Sequence, residues 1–119
     1  MSIILAIDDN TVFLESLVDF LEVNGFPVID AENGFLGLQL AKDKKPDLII
    51  CNVKMPGLNG YEVLKALRQD PVTKKIPFIF LTAEHSNSAR RLALELGADD
   101  YIDKLSTVRE LIKVIHAQL

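Results

Sequence analysis

Pro46-Asp47-Leu48-Ile49-Ile50-Cys51-Asn52-Val53-Lys54-Met55-Pro56-Gly57 is the segment that decides the fold. Its four consecutive apolar residues, Leu48–Cys51, are typical of a strand that is buried on both faces. The Pro and Gly residues that close the segment favour a loop. A strand of this kind belongs to a parallel sheet that is covered by helices on both sides.

Working outward, the same alternation of a short apolar run and an amphipathic stretch recurs along the chain. Apolar runs predict strands over Ile3–Ile7, Phe26–Asp30, Leu48–Cys51, Ile76–Leu81 and Asp100–Asp103. Helical spacing predicts a first helix through Leu14, Leu17, Val18 and Leu21, then helices over Phe35–Lys45, Tyr61–Gln69, Ser88–Leu96 and Val108–Leu119. Gly37 inside the second helix weakens that prediction, and Asn33-Gly34 and Asn59-Gly60 indicate turns.

The order βαβαβαβαβα predicts right-handed crossovers and a parallel sheet with helices on both faces. We therefore expect an α/β fold, a three-layer doubly wound sandwich of five strands and five helices. The predicted loops leave no room for a second domain, so residues 1–119 are expected to form one domain.

The composition excludes several classes of protein. The chain has 119 residues, of which 49% are hydrophobic and 25% charged, which is enough for a closed core. A net charge of −4 without a basic cluster argues against nucleic-acid binding by this domain. No apolar run approaches the roughly 18 residues of a membrane helix, and the first residues do not resemble a signal peptide. The single cysteine, Cys51, fits a reducing compartment, so we expect a cytoplasmic protein.

Polar residues follow the predicted strands where each strand ends. Asp8 and Asp9 follow the first strand, Asn52 the third and Thr82 the fourth, and the fifth leads to Lys104. Strand ends are solvated in any protein, so a single such residue indicates little. Because ligands bind at the carboxyl ends of the strands in open parallel sheets, four ends that agree predict one shared pocket.

The chemistry of such a pocket points to phosphoryl groups. Two adjacent carboxylates repel each other and favour a hard cation such as Mg²⁺, which bridges carboxylates to phosphate oxygens. A Thr hydroxyl donates to a phosphoryl oxygen, and a Lys ammonium neutralises its charge. The nucleophile is missing: an Asp at position 52 would accept a phosphoryl group as an acyl phosphate, whereas the neutral amide of Asn52 is a poor nucleophile.

The sequence resembles the receiver domains of two-component response regulators, and in particular receiver domains of the chemotaxis-regulator type. The resemblance spans essentially the whole chain and rests on four pieces: Ile7-Asp8-Asp9, the segment from Pro46 to Gly57, Phe80-Leu81-Thr82-Ala83, and Gly97-Ala98-Asp99-Asp100-Tyr101-Ile102-Asp103-Lys104. It implies a flavodoxin-like sheet with strand order 2-1-3-4-5.

The resemblance also implies a metal site and an acceptor. Asp8 and Asp9 correspond to the acidic pair that holds Mg²⁺, with Asp9 the more direct ligand. Asn52 stands where the family has its phosphorylated Asp and is expected to be a metal ligand as well, with the main-chain carbonyl of Lys54 as a further ligand. With one carboxylate fewer, we predict that Mg²⁺ binds more weakly here.

The remaining site residues implied by the resemblance act on the phosphoryl group and the response to it. Thr82 corresponds to the hydroxyl that turns toward the phosphoryl group, Lys104 to the Lys that contacts it, and Tyr101 to the aromatic switch residue. The fourth helix, fifth strand and fifth helix would form the output surface. Leu105 replaces the Pro that usually follows the Lys, where a cis peptide is common in the family.

The resemblance identifies the partners by class. A histidine kinase or phosphotransfer protein would supply the phosphoryl group, and a downstream output protein or a fused effector domain would respond. Family members catalyse only their own phosphorylation and dephosphorylation, which Asn52 should abolish. We interpret Asn52 as a substitution in a protein whose parent has Asp. The alternative is a naturally degenerate receiver that acts as a phosphorylation-independent interaction module.

Other residues give weaker signals. Haloacid-dehalogenase-type phosphatases have a second carboxylate two residues after the first, but here Asn10 stands two residues after Asp8, which argues against that class of enzyme.

The cysteine and the histidines give weaker signals. Cys51 is expected to be a buried apolar residue, and His85 and His116 are expected to lie on the surface. Lys54 and Glu84 each lie two residues past a pocket residue, so they could face each other across its mouth. The resemblance places them at positions that modulate phosphorylation kinetics in receivers, but we favour a screened surface pair worth about 0–1 kcal/mol.

Overall fold

Strands and helices alternate five times in the computed structural model, which describes residues 2–84 and 86–119. The strands are β1 (Ile4–Ile7), β2 (Val28–Ala31), β3 (Leu48–Cys51), β4 (Phe78–Thr82) and β5 (Asp100–Asp103). The helices are α1 (Thr11–Val23), α2 (Gly34–Lys44), α3 (Gly60–Gln69), α4 (Asn87–Glu95) and α5 (Val108–Gln118). None of the helices in the described ranges is both long and apolar enough to span a membrane.

The five strands form one parallel sheet in the order β2-β1-β3-β4-β5. The predicted doubly wound α/β sandwich and its strand order are therefore confirmed. Ile7 at the end of β1 lies opposite Cys51 at the end of β3. This register places the residues that follow the two strands side by side at the carboxyl edge of the sheet.

The central strands are buried on both faces, as their continuous apolar runs predict. Leu5, Ile7, Ile49 and Cys51 belong to one core cluster, and Ile4, Ala6, Leu48 and Ile50 belong to the cluster on the other side. Successive strand residues point to opposite faces, so each strand supplies both clusters. The sheet is thus a rigid support for the loops at its carboxyl edge.

Two prolines move the starts of β2 and β4 later than the sequence predicts. The predicted strands begin at Phe26 and Ile76, but the observed strands begin at Val28 and Phe78, directly after Pro27 and Pro77. Proline has no N–H to donate to a neighbouring strand, so pairing through both groups starts after it.

The two Asn-Gly pairs are helix starts rather than free-standing turns. Asn33 Oδ1 accepts the N–H of Leu36, at 2.8 Å. Asn59 caps α3 in the same way, and the Glu62 side chain accepts the Asn59 N–H in return, which completes a capping box. Asn followed three residues later by Glu is the sequence signal that distinguishes such a cap from a turn.

Close packing of α2 on β1 explains why a glycine, Gly37, lies inside this helix. A Cβ added to Gly37 would lie 2.5 Å from the Cδ1 atom of Ile7. The helix therefore packs directly on β1 at this position, and the small residue permits the close approach.

Candidate functional site

An acidic pocket lies at the carboxyl edge of the sheet, between the ends of β1 and β3. The Asn52 amide nitrogen donates to Asp8 Oδ1 at 3.4 Å, to Asp9 Oδ1 at 3.3 Å and to the carbonyl oxygen of Lys54 at 3.0 Å. All three partners accept hydrogen bonds, so the nitrogen of the amide and not its oxygen faces them. Asp8 is 2% exposed and Asn52 is 9% exposed, whereas Asp9 is exposed, so the cluster is buried on the Asp8 side and open to solvent at Asp9.

Lys104, which follows β5, forms an ion pair with Asp8 in the pocket. Its ammonium nitrogen lies 2.8 Å from Asp8 Oδ2, and the two side chains are 15% and 3% exposed. The Asn10 N–H also donates to Asp8 Oδ1, at 3.0 Å. The buried Asp8 carboxylate is therefore compensated by one cation and by the amide of Asn52, as a buried charge requires.

The pocket supplies oxygen ligands of the kind that Mg²⁺ prefers. The carboxylates of Asp8 and Asp9 and the carbonyl of Lys54 converge on the Asn52 amide nitrogen. That nitrogen occupies the place where a cation would neutralise them. Only two of these ligands are side-chain carboxylates and the third is a main-chain carbonyl, and residues 2–84 and 86–119 contain no metal-binding cluster of three His, Cys, Asp or Glu side chains. These oxygens fit a magnesium ion, but only if the Asn52 amide gives up its present hydrogen bonds.

Thr82 ends β4 beside this pocket and is 2% exposed. Its hydroxyl oxygen accepts the N–H of Glu84 at 3.2 Å. The structure thus gathers four of the sequence-predicted pocket residues through direct contacts, and it joins the Thr82 hydroxyl to the β4–α4 loop. The four residues in contact are Asp8, Asp9, Asn52 and Lys104, with the carbonyl of Lys54.

Tyr101 is connected to Thr82 through the same loop residue. Its side chain is buried, and its hydroxyl donates to the carbonyl oxygen of Glu84 at 2.5 Å. The ring lies against Phe80, with 6.0 Å between ring centroids, and Arg90 donates to the Tyr101 carbonyl at 2.7 Å. Glu84 therefore joins the two residues through opposite ends of its backbone, so a movement of its main chain affects both hydrogen bonds.

The buried Tyr101 hydroxyl is expected to titrate late. Burial, with smaller effects of Tyr61, Glu84 and Asp103, raises the pKa of Tyr101 from 10.0 to about 12. Because the unfolded chain loses this proton first, the stabilisation from the protonated hydroxyl is present below about pH 10 and is lost as the pH rises through 12. Tyrosinate absorbance should show this late ionisation, and Tyr101→Phe should remove it and leave only that of Tyr61, whose pKa is raised by burial and by Glu84. An ionisation at the ordinary tyrosine pKa would contradict the buried, donating hydroxyl.

Lys54 and Glu84, which could face each other across the mouth of the pocket, line one cleft. Both line a cleft of about 530 Å³ beside the acidic pocket, together with Asp9 and Tyr61. No Lys54–Glu84 ion pair occurs among the ion pairs of the described residues. The shared cleft is consistent with two side chains that face each other across the mouth of the pocket, but they are not close enough to form an ion pair.

The minor predictions for Cys51 and the histidines have separate outcomes. Cys51 is buried, and burial together with Asp8 raises the pKa of its thiol, so it stays protonated. His116 is exposed on α5, as predicted, whereas His85 lies outside the described residues. The described peptide bonds include no cis bond, so Lys104–Leu105 is trans.

Sequence reasoning missed two residues that shape the pocket. The Phe13 ring contacts the Lys104 ammonium. The sequence signal that could have indicated such a role is a large aromatic residue outside the buried stripe of α1, which consists of Leu14, Leu17 and Leu21. Gly60 lies against the main chain of Asn52, since a Cβ there would be 2.2 Å from the Asn52 carbonyl oxygen. Only the folded structure shows that approach.

Comparison with known proteins identifies the family. Residues 4–116 match the response regulator receiver domain family. The chain is a response regulator receiver domain.

The receiver domain is similar both to a protein of about its own length and to transcriptional regulators about twice as long. It is 36% identical to Protein PilH of Pseudomonas aeruginosa over 100% of this chain and 98% of PilH. It is 45% identical to the transcriptional regulatory protein CpxR of Escherichia coli K12 over 100% of this chain but only 50% of CpxR. The receiver domain thus spans about half the length of the transcriptional regulators it matches.

Solved structures agree with the fold of the receiver domain. The chemotaxis protein CheY4 of Vibrio cholerae superposes with a TM-score of 0.93 and 29% identity, over 100% of this chain and 99% of CheY4. A putative response regulator of Chloroflexus aurantiacus gives a TM-score of 0.93 and 35% identity, over 98% of this chain and 96% of that one. The flavodoxin-like strand order predicted from the resemblance is therefore shared with these proteins.

Proposed function

We propose that this receiver domain is a substituted form of a parent that accepts a phosphoryl group on Asp at position 52. With Asn52 the chain cannot be phosphorylated and stays in its inactive state. The observation that carries this proposal is the Asn52 amide seated among acceptor groups in an otherwise complete pocket. The oxygens of Asp8 and Asp9 and the ammonium of Lys104 are all in place around it.

The acceptor step needs only one new functional group. A carboxylate oxygen of Asp at position 52 attacks the phosphorus atom, and the bond from phosphorus to the leaving group breaks. The leaving acetate or imidazole keeps the electron pair of that bond. Bound Mg²⁺ supplies neutralisation of the phosphoryl oxygens, and the residues that would hold it are Asp8, Asp9 and the carbonyl of Lys54.

Lys104 and Thr82 are the proposed groups that respond to the phosphoryl charge. The Lys104 ammonium already lies at the pocket and can stabilise oxygens that carry about −1.5 to −2 charges. The Thr82 hydroxyl accepts the Glu84 N–H and keeps its own O–H to donate, but in the proposed response it turns toward the phosphoryl group and so exchanges its contact with Glu84. The Glu84 carbonyl holds Tyr101, so this exchange would shift Tyr101 and the surface of α4, β5 and α5.

The proposed partners follow from this chemistry. A histidine kinase or phosphotransfer protein supplies the phosphoryl group, and an output protein or fused effector domain reads the altered surface. We propose that residues 1–119 form a single receiver domain and that it works in the cytoplasm. We propose no nucleic-acid or membrane contact through this domain, in keeping with its net charge of −4.

A second function is supported by the balance of charge in the pocket. Asn52 and Lys104 compensate Asp8 without a metal ion, which describes a stable resting state. A naturally degenerate receiver with this pocket would act as a phosphorylation-independent module for protein contacts.

Phosphorylation of the restored acceptor separates the two functions. We expect Asn52→Asp, incubated with Mg²⁺ and acetyl phosphate, to gain a labile adduct of about 80 Da in its intact mass. The unchanged protein should gain none and serves as the matched control. Absence of an adduct on Asn52→Asp would overturn the proposed function and favour the degenerate receiver.

A further inference from the structure

We propose that Phe13 is a positioning residue for Lys104, holding the ammonium group at the pocket through the face of its ring. Its effect on phosphoryl transfer rests on the function proposed above, but its effect on the geometry of Lys104 does not. The inference comes from two sets of contacts that converge on Lys104, one from α1 and one from the turn after β5.

The first set is a cation–π contact. Lys104 Nζ lies 4.2 Å from the centroid of the Phe13 ring, within the roughly 6 Å at which such contacts are attractive. The same nitrogen lies 2.8 Å from Asp8 Oδ2, so the ammonium is held between a ring face and a carboxylate. The Lys104 side chain is only 15% exposed, and the reduced contact with water strengthens both attractions.

Phe13 is itself fixed by the fold. It lies in the first turn of α1, where Asn10 Oδ1 accepts the Phe13 N–H at 3.1 Å. Its partly buried side chain packs against the core cluster formed with α1 and α5. The ring therefore has a defined place relative to Asp8, which comes just before the same helix.

The second set of contacts lies in the turn after β5, where Leu105 stands in place of the proline that usually follows the Lys in this family. Asp103 Oδ1 accepts the Leu105 N–H at 2.8 Å, a hydrogen bond that a proline at position 105 could not donate. The Ser106 N–H donates to the Asp103 carbonyl at 2.9 Å, and the Lys104 N–H donates to the Thr82 carbonyl at 2.8 Å. The backbone of Lys104 is thus fixed by this turn.

The two sets of contacts act at opposite ends of one side chain. The turn fixes the Cα of Lys104, and the Phe13 ring fixes the ammonium five bonds further out. A ring face attracts a cation without competing for its N–H donors. All three Lys104 donors therefore remain free for Asp8 and, in a phosphorylated form, for phosphoryl oxygens.

The first test uses the chain with Asn52 and needs no phosphorylation. A ring face shifts the NMR signals of the Lys104 ε-methylene protons upfield, a signature that stability alone does not produce. We expect Phe13→Leu to abolish this shift and Phe13→Tyr to retain it. Phe20→Leu, which removes a partly buried ring from the same helix, should leave it unchanged. An unshifted Lys104 in the unchanged protein, or a shift that survives in Phe13→Leu, would overturn the proposal.

The second test measures the consequence for phosphoryl transfer in the Asn52→Asp background. We expect Phe13→Leu to slow phosphorylation by acetyl phosphate by about three- to tenfold, and Phe13→Tyr to restore the rate. Equal slowing by Phe20→Leu would show a general packing effect and overturn the positioning role. If Asn52→Asp is not phosphorylated at all, the proposed function fails, while the NMR test still decides the role of Phe13.

Discussion

Substituting Gly60 by Ala is expected to lower the free energy of unfolding by about 2–3 kcal/mol and to disturb the acceptor residue. The added Cβ would lie 2.2 Å from the Asn52 carbonyl oxygen and 2.8 Å from Cε1 of Phe80. The Gly60 N–H also donates to the Val53 carbonyl at 2.8 Å, so α3 cannot simply move away. Urea unfolding measures the loss, and the NMR signals of Asn52 report the disturbance.

Gly37→Ala is the matched control because it adds the same methyl group to another helix. There the three atoms nearest to the new Cβ all belong to the side chain of Ile7, with Cδ1 at 2.5 Å. An isoleucine side chain can change rotamer, whereas a main-chain carbonyl at the end of β3 cannot. We therefore expect a smaller loss of stability and unshifted Asn52 signals. Equal effects of both substitutions would show that Gly60 has no special relation to the acceptor.

Asn52→Asp is expected to destabilise the metal-free protein by about 2 kcal/mol. The new carboxylate would face the oxygens of Asp8, Asp9 and the Lys54 carbonyl, to which the amide now donates. The hydrogen bonds from the two amide hydrogens to these oxygens would be lost, and like charges would be held close together beside the buried Asp8. Added Mg²⁺ should reverse the loss, since a ligand that binds only the folded state stabilises it.

Urea unfolding with and without Mg²⁺ checks this prediction. Asn33→Asp is the control, because Asp at a helix N-cap retains the capping acceptor and the same chemical change occurs outside the acidic pocket. That variant should show little change and no response to Mg²⁺. A metal-free Asn52→Asp protein as stable as the original would contradict the description of a pocket neutralised by the amide.

The sequence was sufficient for the architecture because its signals were redundant. Leu48–Cys51 and Asp100–Asp103 are strands over the predicted residues, and the alternation of runs determined the parallel sheet. The pocket followed from topology, since polar residues at the carboxyl ends of neighbouring strands must lie close together. Errors in the strands and helices were confined to element ends, and at Pro27 and Pro77 the strands start two residues later than predicted.

Features that depend on three-dimensional approach could not be read from the sequence. Arg68 is an example: its guanidinium donates to the carbonyl oxygens of Lys74, Ile76 and Gly97, and it pairs with Asp99 at 3.2 Å. These partners are up to 31 residues away from it along the chain. The orientation of the Asn52 amide and the ring beneath Lys104 are of the same kind, because both depend on distances between separate elements.

The most direct test of the account is a calorimetric titration of the unchanged protein and Asn52→Asp with Mg²⁺. The central claim is that the Asn52 amide fills the place of a cation in an otherwise intact receiver pocket. We therefore expect Asn52→Asp to bind Mg²⁺ about tenfold more tightly or better, because a third carboxylate replaces a competing donor. Equal affinities for the two proteins would contradict that claim.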